Sequence, residues 1–194
     1  MKLTLIRHGM TEGNARQLFY GATDLPLLPE GIARLKQQAA ETPYPTAPHY
    51  YTSGLLRTEQ TLTALYGDVP HTAIPDLREM DFGMFEMRPY EGDLEYDEDF
   101  RRWQNEQVET NVCPGGESVM QVGARALKAI APIIARDEDA VCVIHGGTIA
   151  GLIEEWFPTG VLRHTRAPQP GCGYQILIEN GTPVSYRPIP DSEP

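Results

Sequence analysis

The sequence predicts an α/β fold of three layers, in which helices cover both faces of a mostly parallel central sheet. Three observations support this prediction. Short apolar segments alternate along the chain with longer segments of helical periodicity. Residues 140–144 are continuously apolar, as is typical of a strand covered on both faces. Near the end of the chain, Asn180 and Gly181 separate residues 174–178 from residues 184–187, and this turn predicts an antiparallel hairpin.

The elements of the first half follow one another with little interruption. Residues 2–6 predict a short buried strand. Residues 29–41 predict a helix, because a proline occupies the first position, apolar residues recur at helical spacing and a proline-rich segment follows. Residues 49–53 predict a second strand, and the leucines of residues 55–66 restore helical spacing.

The second half contains the longest helix prediction, residues 117–136, in which Gly123 and Pro132 are potential interruptions. The apolar strand comes next, and a helix over residues 148–157 follows it. No internal repeat or Ser/Gly-rich linker divides the 194 residues. We therefore expect a single domain over residues 1–194.

One region, residues 81–117, lacks clean periodicity. Within it, residues 91–99 carry six carboxylates and no positive charge. Two interpretations stay open: a solvated surface face, or a lid-like excursion over a functional site, because long loops in compact domains are usually functional or disordered. In the same region, Tyr96, Phe100 and Trp103 either line a pocket or form an ordinary buried cluster.

The composition argues against several classes of partner. The chain has 16 Lys and Arg against 27 Asp and Glu, a net charge of −11, and its basic residues are dispersed, so nucleic acid is a poor partner. No apolar run approaches the roughly 20 residues that span a bilayer, and the N-terminus lacks the core of a signal peptide. Cys113, Cys142 and Cys172 are widely spaced and predict neither a disulfide framework nor a zinc site. We therefore expect no membrane partner and a cytoplasmic location.

Two histidines follow predicted strands. His8 comes directly after the first strand, and His145 comes directly after the buried apolar strand. Because the carboxyl ends of parallel strands face the ligand crevice of such a fold, we expect both imidazoles to lie there. A lone histidine at a strand end is more often structural, so the pair carries the argument.

The same strand ends predict an anion site. Gly146 and Gly147 precede Thr148 and leave backbone N–H groups at a helix N-terminus, where the partial positive charge favours an anion. Arg7 and Arg57 carry forked donors that suit the oxygens of a phosphate. Taken singly, the glycine pair is a turn and Arg57 is a surface ion pair, so the order of the motifs along the chain gives the set its meaning.

This ordered set resembles the histidine phosphatase superfamily, which has the phosphoglycerate mutase-like fold, over most of the chain. The matching residues are, in chain order, Arg7, His8, Gly9, Thr11, Asn14, Gly21, Asp24, Pro26, Leu27, Gly31, Ser53, Leu55, Arg57, Thr61, Leu77, Glu79, Phe82, Gly83, Glu86, residues 114–118, His145, Gly146 and Thr148.

The resemblance implies a phosphatase that needs neither a metal nor a cofactor and that hydrolyses a small phosphorylated metabolite. It implies that His8 is the nucleophile that takes up the phosphoryl group and that Glu79 gives a proton to the leaving alcohol. The alternative for Glu79 is an ordinary capping or ion-pair role near Arg78. Contacts to the phosphate or to the rest of the substrate are implied for Arg7, Asn14, Gly21, Arg57, His145, Gly146 and Thr148.

The chemistry agrees with these roles. An attacking imidazole must be neutral at one nitrogen, and a backbone carbonyl on its other nitrogen would fix that tautomer. A covalent phosphohistidine divides a difficult displacement into two easier steps. Fixed arginine, histidine and amide donors stabilise the charge on the phosphoryl oxygens in the transition state.

The sequence also departs from the family pattern. Met10 stands where the family usually has Glu or Gln, and Met80 follows Glu79 where the related glycolytic mutases carry Arg. The acidic residues 91–99 would oppose a bisphosphorylated intermediate if they cover the site. We therefore favour hydrolysis over mutase chemistry. Residues 82–94 are also similar, over a short segment, to the α-ribazole phosphatase branch of the family.

Three alternatives remain beside hydrolysis. They are phosphoglycerate mutase-type transfer, a non-catalytic protein that binds phosphate, and a metallohydrolase that uses His8, His145 and an acidic partner. The last lacks an HExxH motif or a paired-carboxylate spacing. The sequence does not identify the substrate, and it does not decide between a monomer and a homodimer.

Overall fold

The computed structural model describes residues 1–92, 97–104, 110–160 and 163–190. The strands are β1 (Lys2–Arg7), β2 (His49–Thr52), β3 (Thr72–Ala73), β4 (Ala140–Ile144), β5 (Gly173–Glu179) and β6 (Thr182–Ile189). The helices are α1 (Glu12–Ala15), α2 (Pro29–Glu41), α3 (Leu56–Tyr66), α4 (Glu98–Trp103), α5 (Val119–Ala135) and α6 (Gly146–Trp156).

The strands form one six-stranded sheet in the order β3-β2-β4-β1-β5-β6. The pairs β3/β2, β2/β4 and β4/β1 are parallel, and β5 is antiparallel to both β1 and β6. The mostly parallel sheet and the antiparallel C-terminal hairpin are therefore confirmed. Gly173 allows the close approach of β5 to β1, because a Cβ atom at this position would lie 1.8 Å from the carbonyl oxygen of Leu5.

Strand β4 is buried over its whole length and its side chains alternate between two cores. Cys142 belongs to the core that includes residues of α5 and α6. Val141 and Val143 face the opposite core, which includes Leu62 of α3. Helices therefore cover both faces of the sheet, and the predicted three-layer architecture is confirmed.

Local signals placed most boundaries correctly. The helix predicted over residues 29–41 has these bounds, and Pro132 lies inside α5 without ending it. The helix predicted to begin at Thr148 begins at Gly146 instead, because His145 is the extended N-cap residue. The two glycines therefore form the first turn of α6, where the unpaired backbone N–H groups of a helix lie.

Part of the irregular region packs as a third hydrophobic cluster. Trp103 is buried, stacks on Phe85 at 5.5 Å between ring centroids and contacts Phe100 edge to face. For Phe100 and Trp103 the ordinary cluster is thus what the structure contains. Tyr96 and the rest of residues 93–96, in the middle of the acidic run, lie outside the described residues. The lid over residues 81–117 stays a prediction.

Among the described residues, none of the helices combines the length and the apolar character that crossing a bilayer requires.

Candidate active site

The two histidines meet at the carboxyl edge of the sheet. His8 follows β1 and His145 follows β4, and these strands are parallel neighbours. The ring centroids lie 5.3 Å apart and the ring planes meet at 62°. Their exposed fractions are 3% and 0%, so both imidazoles are removed from bulk water.

The tautomer of His8 follows from its backbone contact. Nδ1 lies 2.8 Å from the carbonyl oxygen of Gly9, which can only accept a hydrogen bond. Nδ1 therefore carries the proton and Nε2 keeps its lone pair. Burial, followed by the positive charges of Arg57 and Arg7, holds the pKa of His8 well below its ordinary value of 6.5. His8 is thus a neutral base with one nitrogen available for bond formation.

Arg57 is completely buried at the start of α3. Its two terminal nitrogens donate to the carbonyl oxygens of Thr23, at 2.8 Å, and Gly21, at 2.7 Å. Its Nε donates to Nδ1 of His145 at 3.3 Å. Arg57 also forms an ion pair with Asp24 at 4.0 Å, but its own side chain is buried, so the surface location of the alternative interpretation is wrong. Burial lowers the pKa of Arg57 below its ordinary value, and nearby acidic groups including Glu79 oppose that shift.

Arg7 lies against the first turn of α6. Its terminal nitrogen donates to the carbonyl oxygen of Pro168 at 2.8 Å, whereas its buried Nε has no hydrogen-bond partner among the described residues. A Cβ atom at Gly146 would come within 3.0 Å of this Nε. Glycine at position 146 therefore lets an arginine with an unused donor lie beside the helix N-terminus.

Glu79 caps helix α6. Its Oε2 accepts a hydrogen bond from the backbone N–H of Gly147 at 3.0 Å, and its Oε1 accepts one from the N–H of Met80 at 3.1 Å. Arg78, the alternative partner, forms an ion pair with Glu117 at 3.2 Å. The carboxylate lies where the partial positive charge of α6 favours an anion.

Three further residues of the predicted set make hydrogen bonds within the protein. Asn14 closes the capping box of α1 by accepting from the N–H of Thr11. The N–H of Gly21 donates to Glu86 at 2.8 Å. The hydroxyl of Thr148 donates to the carbonyl oxygen of Arg78 at 2.8 Å. Their substrate contacts stay predictions.

The structure adds Glu86 to the residues that organise the site. Its carboxylate accepts hydrogen bonds from the backbone N–H groups of Gly21, Ala22 and Thr23, at 2.8, 3.0 and 3.2 Å, and from the hydroxyl of Thr23 at 2.5 Å. The carbonyl groups of this same loop hold Arg57. Glu86 belongs to one of the family motifs, but its role is not evident from the sequence, because no local pattern shows which distant amides a carboxylate binds.

Arg125 and Glu117 support the segment that carries Glu79. The guanidinium of Arg125 donates to the carbonyl oxygens of Asp76, Arg78 and Glu79, at 2.7, 3.1 and 3.4 Å. It also forms an ion pair with Glu117 at 2.8 Å. One partly buried cation on α5 therefore fixes the backbone of a segment that comes from a distant part of the chain.

We expect the substitution Glu86→Gln to reduce kcat/KM by about 10- to 100-fold, because glutamine cannot accept all of the loop's hydrogen bonds and Arg57 loses its support. The test is a double-mutant cycle with Arg57→Ala. In the Arg57→Ala background, Glu86→Gln should add little. Equal losses in both backgrounds would show that Glu86 does not act through Arg57.

Histidine titrations followed by NMR should separate the site from the surface. We expect His8 and His145 to titrate well below 6.5, because burial and the arginines oppose their charged forms. His71 is the internal control, since the Val69 carbonyl and the Glu59 carboxylate raise its pKa. Both histidines have a higher pKa in the unfolded chain than in the folded protein, so the unfolded chain binds more protons. The free energy of unfolding should therefore fall as the pH decreases below about 6.5. Ordinary midpoints for His8 and His145 would contradict this electrostatic description.

Two imidazoles and two guanidinium groups at the carboxyl edge of a parallel sheet are a set of groups that suits a phosphoryl group or a similar oxyanion. Residues 3–185 match the histidine phosphatase superfamily (branch 1), and the chain belongs to that superfamily. Across the described ranges, no three or more His, Cys, Asp or Glu side chains come together in a group that could hold a metal ion.

The similar proteins include both phosphoglycerate mutases and α-ribazole phosphatases. A 2,3-bisphosphoglycerate-dependent phosphoglycerate mutase of Xanthobacter autotrophicus is 26% identical, over 98% of this chain and 93% of the relative. The crystal structure of the α-ribazole phosphatase of Shigella flexneri matches with a TM-score of 0.81 and 26% identity, over 94% of this chain and 93% of that chain. The crystal structure of a phosphoglycerate mutase of Thermus thermophilus matches with a TM-score of 0.67 and 26% identity, over 96% of this chain and 98% of that chain. The phosphoglycerate mutase-like fold is thereby confirmed.

Proposed function

We propose that the protein is a metal-independent phosphomonoesterase that hydrolyses a small phosphorylated metabolite through a phosphohistidine at His8. One observation carries the proposal. The neutral His8, with its Nδ1 proton held by the Gly9 carbonyl, lies among Arg7, Arg57 and His145. A neutral imidazole is nucleophilic, and the surrounding donors suit the oxygens of the group it attacks.

In the first step, Nε2 of His8 bonds to phosphorus and the bond from phosphorus to the leaving oxygen breaks. Glu79, in its protonated form, gives the leaving oxygen its proton. In the second step, Glu79 takes a proton from a water molecule, the water oxygen bonds to phosphorus and the bond from phosphorus to nitrogen breaks. Arg7 and Arg57 stabilise the charge on the phosphoryl oxygens in both steps.

The helix N-terminus supports this sequence of events. Glu79 binds the N–H of Gly147, the position where a phosphoryl oxygen is also favoured. When a phosphoryl oxygen takes this N–H, the carboxylate is released toward the leaving group. Gly147 leaves room for this exchange, because a Cβ atom there would lie 2.5 Å from Oε1 of Glu79.

Mutase chemistry is the second candidate, because relatives of both names match the chain over most of its length. A mutase must hold a second acidic group of its substrate beside the first. Met80, the neighbour of Glu79, is uncharged and packs in the third hydrophobic cluster. Arg78 is engaged by Asp76 and Glu117. These contacts favour hydrolysis of a monophosphate.

The proposal is tested by incubating the purified protein, with and without a chelator, with α-ribazole phosphate and with 3-phosphoglycerate. We expect release of inorganic phosphate in both conditions, faster from α-ribazole phosphate, and a phosphoenzyme that is labile to acid and stable to base. Interconversion of phosphoglycerates would indicate a mutase. Binding without turnover would indicate a non-catalytic protein, and loss of activity with the chelator would indicate a metallohydrolase. The cytoplasmic location stays a prediction of the sequence.

A further inference from the structure

A buried series of hydrogen bonds leads from Nε2 of His145 through the hydroxyl groups of Ser53 and Thr58. Nε2 of His145 lies 2.8 Å from the hydroxyl of Ser53. That hydroxyl lies 3.2 Å from the hydroxyl of Thr58, which donates to the carbonyl oxygen of Leu55 at 2.7 Å. The three side chains are between 0% and 4% exposed, so this series is shielded from bulk water.

The last hydrogen bond of this series, at Leu55, determines which atom donates and which accepts in each of the others. The carbonyl of Leu55 can only accept, so it takes the single hydroxyl proton of Thr58. Thr58 must then accept from Ser53, which uses the single hydroxyl proton of Ser53. Ser53 is left to accept from His145. Nε2 of His145 therefore carries a proton.

The contact at the other nitrogen of His145, Nδ1, gives the same tautomer independently. Nε of Arg57 donates to Nδ1 of His145, and a guanidinium has no acceptor atom. Nδ1 must therefore present a lone pair. Two contacts on opposite edges of the ring thus assign His145 as a neutral imidazole with its proton on Nε2.

This tautomer conflicts with the binding of an oxyanion. A fully ionised tetrahedral oxyanion bound beside Nδ1 offers only lone pairs. It would take the Nε–H of Arg57 as a donor, so the hydrogen bond from Arg57 to Nδ1 would break and the freed lone pair on Nδ1 would face the oxyanion. The ring cannot move its proton from Nε2 to Nδ1 unless the series of hydrogen bonds through Ser53 and Thr58 reverses, which the Leu55 carbonyl opposes. We propose that His145 takes up a proton at Nδ1 when a tetrahedral oxyanion binds, and that Ser53 and Thr58 are positioning residues that enforce this uptake.

The inference rests on the proposed function only in placing the oxyanion between His8 and His145. The resulting imidazolium donates a charge-assisted hydrogen bond to a phosphoryl oxygen and keeps its second donor on Ser53. A monoester that carries a proton can supply it, whereas sulfate cannot. Sulfate is therefore the sharper probe, because its binding must draw the proton from the buffer.

The charged groups around His145 agree with this change of state. Burial, followed by the charges of Arg57, His8, Arg7 and Arg125, lowers the pKa of His145 well below 6.5, so the ring is neutral at neutral pH. The acidic side chains on this side of the ring, Glu79, Asp24 and Glu86, lie around Arg57, and Glu79 also accepts a hydrogen bond at the adjacent helix N-terminus. A bound dianion adds the opposite charge and favours the imidazolium.

The first experiment observes the tautomer directly. Two-bond 1H–15N correlation spectra of the histidine side chains are recorded without and with sulfate, and signals are assigned by single His→Gln variants. We expect His145 to be protonated only at Nε2 without sulfate and at both nitrogens with sulfate. A proton on Nδ1 without sulfate, a neutral His145 in the complex, or uptake by His8 in its place would overturn the inference.

The second experiment counts protons by calorimetry of sulfate binding in two buffers of different ionisation enthalpy. We expect uptake of about one proton by the wild type, and hence about tenfold weaker binding per unit of increasing pH. Thr58→Val frees the Ser53 hydroxyl to donate to His145, so uptake should fall toward zero, and Thr58→Ser should restore it. Thr63→Val, an exposed site on the same helix, is the matched control.

Unchanged proton uptake in Thr58→Val would overturn the role of this series of hydrogen bonds. Sulfate binding without proton uptake by the wild type would overturn the inference but leave the phosphatase proposal standing. Conversely, proton-coupled sulfate binding without a phosphoenzyme would sustain the inference and contradict the proposed reaction.

Discussion

Replacement of His8 by asparagine should abolish the phosphoenzyme and reduce kcat/KM by at least about 10⁴-fold, because removal of a covalent nucleophile leaves only the contribution of binding and fixed donors. Asparagine suits the test because its side-chain N–H can donate to the Gly9 carbonyl as Nδ1 does. The fold is thereby preserved while the nucleophilic Nε2 is lost. The measurements are steady-state release of phosphate and trapping of labelled phosphate on the protein.

The control is His49→Asn. His49 lies at the start of β2, away from the carboxyl edge, and pairs with Glu138 on the surface. This variant should retain the activity and the phosphoenzyme of the wild type. Thermal unfolding of both variants checks that neither has lost its structure. Turnover by a folded His8→Asn protein within tenfold of the wild type would rule out attack by His8.

The elements predicted correctly are those whose signals are local and long enough to repeat. Helix α2 has Pro29 at its first position and breakers after Glu41, and β4 is an uninterrupted apolar run. Helix α1 has four residues and β3 has two, which is too short for any periodicity. These elements depend on tertiary contacts and caps, such as that between Thr11 and Asn14, so composition alone does not predict them.

The convergence of His8, His145 and Arg57 was predictable because strand ends and motif order are visible in the sequence. The supporting residues were not. Glu86 and Arg125 act by binding backbone groups of distant segments, and such contacts leave no periodic pattern. The tautomer of His145 depends on which atoms lie within hydrogen-bond distance, so it follows only from coordinates.

Glu79 shows why a structural and a chemical role need not exclude each other. The capping contact to Gly147 and the proposed proton transfer use the same carboxylate. The backbone of Glu79 is held by Arg125, so the side chain can exchange partners without movement of the segment. A substitution that keeps the cap but removes the acidic proton therefore isolates the chemical role.

Glu79→Gln is that substitution, since the glutamine carbonyl can accept from Gly147 whereas its amide cannot donate a proton for acid catalysis. We expect kcat/KM to fall by about 10² to 10⁴-fold for an alkyl phosphate, whose leaving group needs a proton. The loss should be much smaller for p-nitrophenyl phosphate, whose leaving group departs as a stable anion. Glu41→Gln, exposed at the end of α2, is the control and should match the wild type on both substrates. An equal loss on both substrates would mean that Glu79 acts through the cap and not through its proton.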